Sequence, residues 1–140
     1  MSLSNIRTYF RSRLDSLGFR EHVDGFETEN IAETILDRSY HIYVSNIVGG
    51  PINHTHQDMS ANVVISLYFK GYRNSTEGLE TAETEVESIV KDICKVSNRT
   101  SSLLNVIFED VSLERRSESN DHSVLALMQF TAQVVLDVES

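Results

Sequence analysis

The residues of this 140-residue chain best suited to hold a metal ion are His54, His56 and Asp58 in the run His54-Thr55-His56-Gln57-Asp58. Neutral imidazole and carboxylate are the donors that zinc and related ions take from proteins. Ligands must also be held in place, and this run follows Gly49-Gly50-Pro51 in a stretch with neither helical nor strand period. It therefore reads as a loop, in which spacing fixes no geometry, and no metal is expected. Cys94 falls late in a predicted helix, beside its apolar stripe. A reactive thiolate needs a helix N-terminus or a basic pocket, so Cys94 reads as a buried structural cysteine. His41 and His122 lie in or beside predicted strands and join no Ser-His-Asp grouping. The chain has no Gly-rich phosphate loop, no Gly-x-Ser-x-Gly elbow and no Cys-x-x-Cys. Neither catalysis nor a cofactor is expected from it.

What remains is charge. The net charge is -9, yet the first 20 residues carry Arg7, Arg11, Arg13 and Arg20 against Asp15 alone. The rest of the chain is thus even more acidic than the total. Such a body makes few phosphate contacts and is a poor general binder of nucleic acid. Opposite charges on separate parts of one chain can meet between copies of it. Arg7, Arg11, Arg13 and Arg38 are the basic candidates for such an interface, and Asp58, Asp110, Glu114 and Asp121 the acidic ones. Asp37 beside Arg38 offers either a local ion pair or an intersubunit contact. Each charge taken singly reads equally as solvated surface.

These residues need elements to position them. Ile6, Phe10, Leu14 and Leu17 recur at helical spacing behind Ser4, and Gly18 stands where a left-handed C-cap belongs, so a helix is predicted over 4–17. The arginines fall mostly off its apolar stripe. Residues 19–38 hold no period. Tyr40, Ile42 and Val44 then alternate with His41, Tyr43 and Ser45 in a strand starting near Ser39. The pattern breaks at Val48-Gly49-Gly50-Pro51, and 48–58 is expected to be a mobile loop that orders on assembly. A strand from Met59 to Lys70 follows, then a turn, then a helix with Leu79, Ala82, Val86, Ile89, Val90 and Ile93 on one stripe. Two long strands close the pattern, Leu103–Leu113 and His122–Val138, with Ser117–Asp121 as their turn. One face of the last strand, Val124 to Val138 by alternate residues, has no polar break.

The fold class expected is α+β in a single domain, 1–140: a mostly antiparallel sheet of four or more strands, both helices on one face, in the order α-β-β-α-β-β. No apolar run reaches the length of about 18 residues that a membrane span needs. The start Met1-Ser2-Leu3-Ser4-Asn5 lacks the basic and apolar regions of a signal peptide, and a lone cysteine suits a reducing compartment. Predicted strands of 12 to 16 residues exceed the usual five or six and offer edge surface to neighbouring chains.

The element order, the arginine-bearing Ile6-Arg7-Thr8-Tyr9-Phe10-Arg11, the stretch Ala32-Glu33-Thr34-Ile35-Leu36-Asp37-Arg38-Ser39-Tyr40, the Gly-Gly-Pro interruption and the long final strand pair resemble the tail terminator proteins of long-tailed phages, the minor tail protein U type. The resemblance spans nearly the whole chain. It implies a non-enzymatic subunit of a hexameric ring on the head-proximal end of the tail tube. Such a ring stops tube growth and offers a surface to the head connector. Its partners would be further copies of itself, the tail-tube protein and a head-completion protein, with DNA passing through the lumen unbound. The location would be the virion tail, after assembly in the host cytoplasm. Two other classes fit the same elements: another phage neck or tail component, including a tube protein, and a small ferredoxin-like ligand-binding module or enzyme.

Overall fold

Spacing alone is enough for the first helix. In the computed structural model, which describes residues 4–22, 38–52, 56–72, 75–98, 103–116 and 122–137, α1 runs from Ser4 to Ser16. Its stripe of Ile6, Phe10 and Leu14 is buried. Gly18 ends it at φ 90°, with the Gly18 amide donating to the Asp15 carbonyl and the Phe19 amide to the Leu14 carbonyl. That crossed pair is the Schellman closure, and buried Phe19 supplies its apolar contact.

Then comes a strand with no sequence signature. β1, Arg20–Glu21, pairs in parallel with the start of β2, Ser39–Ile52. β3 is His56–Tyr72, α2 is Ser75–Ile93, β4 is Leu103–Arg116 and β5 is His122–Asp137. A short 3-10 turn, Val96–Asn98, follows α2. The sheet order is β1-β2-β3-β5-β4, antiparallel throughout except for β1. The α+β class stands, with two helices among the described residues. Over those residues the expected order α-β-β-α-β-β is corrected to α-β-β-β-α-β-β, and the sheet is mixed. Two residues are too few to display a period, and β1 forms because the Schellman turn drops the chain beside Ser39 and Tyr40.

The expected loop at 48–58 is also corrected. Gly49, Gly50 and Pro51 belong to β2, which continues to Ile52, and β3 begins at His56. Two irregularities absorb the residues that break the pattern. One lies between Ser45 and Val48, where Asn46 takes φ 49°, and the other between Gly49 and Ile52. In each, two residues of β2 face one of β3, which is how a strand accommodates a left-handed residue or a proline without ending. His54 lies outside the described residues.

One face of the sheet carries the core. Tyr40 and Ile42 from β2, Ala61 to Phe69 by alternate residues from β3, and Val124 to Val134 by alternate residues from β5 are buried with both helix stripes in one cluster. β5 lies between β3 and β4, beneath α2, so its unbroken apolar face belongs to the middle of the sheet. Phe108 is half-buried, because β4 is an edge strand, and it packs on Phe130 at 5.5 Å between ring centroids. The opposite face carries no helix among the described residues.

Candidate functional site

The four arginines expected at an interface divide once the helices are docked. Arg13 turns inward across the helix pair: its Nε and Nη2 donate to Asp92 Oδ1 and Oδ2 at 2.7 and 2.8 Å. A fork of two parallel bonds is the strongest form of carboxylate pairing, and it raises the guanidinium above its already high ordinary value. Beside it the Tyr9 hydroxyl donates to the Ile93 carbonyl at 2.6 Å, so the ends of α1 and α2 are joined twice. Arg38 is a second internal brace. At φ 57° it lays its guanidinium over the Phe19 ring at 4.3 Å, donates to the Leu17 carbonyl at the end of α1, and pairs with Glu85 of α2 at 3.4 Å. A cation at a helix C-terminus is favoured by the exposed carbonyls there. Asp37 lies outside the described residues. Sequence reasoning missed these partners because Asp92 and Glu85 are far from the arginines in the chain; only the packing of α1 on α2 brings them close.

Arg7 and Arg11, one turn apart on α1, point the other way. With Glu21, His41, Ile42 and Tyr43 they line an open cleft of about 340 Å³. Arg11 Nε donates to Glu21 Oε2 at 2.6 Å, a contact that raises the Arg11 guanidinium further. Arg7 is exposed and makes no ion pair among the described residues. Among the described residues, Arg7 is thus the cleft's one cation without an ion pair. His41 turns Nδ1 to the His22 carbonyl at 3.1 Å, and the Tyr40 hydroxyl donates to Asp15 Oδ1 at 2.6 Å just behind. Burial, with that bond, pushes the Tyr40 phenol well above its ordinary value. β1 ends at Glu21, so from Ile42 onward the outer edge of β2 has no strand beside it among the described residues.

The acidic candidates gather elsewhere. Asp110 and Glu114 are exposed on β4, with Glu109 beside them accepting from Thr131 Oγ1 at 2.9 Å. Their register opposite Gln129 and Leu125 puts them toward the helix-free side, at the far edge of the sheet from Arg7. Asp58 is half-buried on β3, and Asp121 lies outside the described residues. The structure thus groups Arg7 with Arg11 and Asp110 with Glu114, and separates the two groups by the width of the sheet.

A second signal was not drawn from the sequence. The exposed large apolar side chains among the described residues are Tyr43, Ile47 and Val48 on β2 and Ile107 on β4, at 42% exposure or more. All four are on strands with an outer edge that no described strand covers: β4 at one border of the sheet, and β2 beyond the two-residue β1 at the other. In the sequence they look like ordinary members of alternating strands; only the strand order reveals that they lack cover.

Among the described residues no three His, Cys, Asp or Glu side chains gather as metal ligands. Cys94 forms no disulfide and is half-buried against the core, where full burial was expected. No helix among the described residues is long and apolar enough to cross a membrane. No family model matches this chain, and no curated protein matches it.

Proposed function

We propose that this protein is an assembly subunit that closes into a ring, and that the ring is the tail terminator of a long-tailed phage. The observation that carries the reading is the placement of the exposed apolar side chains on β4, one border of the sheet, and on the part of β2 that the two-residue β1 leaves uncovered among the described residues. Border strands with free backbone groups and uncovered apolar side chains invite another chain. Among the described residues no helix packs on the other sheet face, where Tyr68 and Leu125 are nonetheless buried. Asp58, Asp110 and Glu114 lie toward that face, whereas the arginines of α1 belong to the helical layer. A ring that turned the open face inward would line its lumen with acid, and duplex DNA would pass such a wall without being trapped. The partners on this reading are further copies of the chain, in a hexamer, the tail-tube protein below and a head-completion protein above. The site of action is the head-proximal end of the virion tail, after assembly in the host cytoplasm, and no reaction is catalysed.

Negative-stain imaging of the purified protein, alone and with its tail-tube protein, tests this. Rings of uniform diameter, and tubes capped at one end, are expected. Tubes growing from this chain alone would make it a tube component instead. Particles that stay monomeric in both preparations would overturn the assembly reading.

A further inference from the structure

We draw no further inference here: the strongest candidate, the exposed surface patch of Tyr43, Gln129 and Asp110 on the sheet face away from the helices, carries nothing because nothing in the structure shows what covers it.

Discussion

Replacing Arg13 by Met separates an internal brace from an intersubunit contact. The side chain is 24% exposed and its partner Asp92 19%, and the two bonds between them measure 2.7 and 2.8 Å. A hydrogen bond to a charged group contributes about 1.5–3 kcal/mol when well shielded, and an exposed ion pair about 0.2–1 kcal/mol. Partial exposure places this fork between the two, at about 1–2 kcal/mol. Met keeps the apolar stem, so most of the loss comes from the bonds and from leaving Asp92 without its guanidinium. For a domain of this size that is a fall of about 3–6 °C in Tm. Urea denaturation followed by circular dichroism, at a concentration where the chain is monomeric, measures it directly. A cycle with Asp92→Asn should return a coupling of about 1 kcal/mol, since the two side chains share one contact. Arg7→Met is the control: an exposed arginine with no ion pair among the described residues should change monomer stability by less than about 0.5 kcal/mol. If Arg13→Met leaves the monomer within about 0.5 kcal/mol of the wild type and instead abolishes assembly, the fork is not a brace. Arg13 would then return to the interface that its position in a basic helix suggests.

Three further outcomes follow from the core and the turn. Phe130→Ala should cost about 3–5 kcal/mol in urea denaturation, because the ring is fully buried between Phe10 at 5.4 Å and Phe108 at 5.5 Å; a loss below about 1 kcal/mol would contradict the packing. Gly18→Ala should cost about 1–2 kcal/mol by thermal melting. The site is at φ 90° and the nearest atom to a new Cβ is 3.9 Å away, so the penalty is backbone strain and not a clash. Tyr40 has a phenol raised from an unfolded value near 10, so its contribution to stability is complete below about pH 10 and declines as pH rises toward the folded value. Tyr40→Phe should flatten the alkaline side of the stability profile between pH 10 and 12, and an unchanged slope there would show that the phenol is not shielded.

How much of this could be read from the chain depends on the range of the interaction that sets it. The helices were legible because their determinants are local: the Ile6-Phe10-Leu14 stripe, the Ala82-Val86-Ile89-Ile93 stripe and the glycine cap all act within one or two turns. The core sides of β3 and β5 were legible for the same reason, since alternation needs only the neighbours, whereas β4 is apolar on both faces and hid its own. β1 was not, because a two-residue strand exists only by virtue of the strand it meets. The continuation of β2 through Gly49-Gly50-Pro51 was hidden too. Turn residues and bulge residues are the same types, and only the partner strand distinguishes them. The candidate site was half legible. The sequence singled out the basic helix and four scattered acidic residues, and only the structure shows that Arg13 and Arg38 are occupied by Asp92 and Glu85, whereas Arg7 makes no ion pair among the described residues.

The strand order has a consequence for the time course of folding. β3 and β4 run in the same direction and do not touch; β5, later in the chain than either, is the only described strand that connects them. Until β5 inserts, the apolar flank of β3 has no neighbour and β4 has nothing to align against. The early β2–β3 hairpin can form locally, whereas completing the sheet requires long-range closure, which slows folding and lengthens the exposure of sticky intermediates. The exposed β4 border is therefore created at the same step that completes the core. A subunit would become competent to associate only once it is folded, and partly folded chains would be kept out of the growing assembly by the order in which their own strands pair.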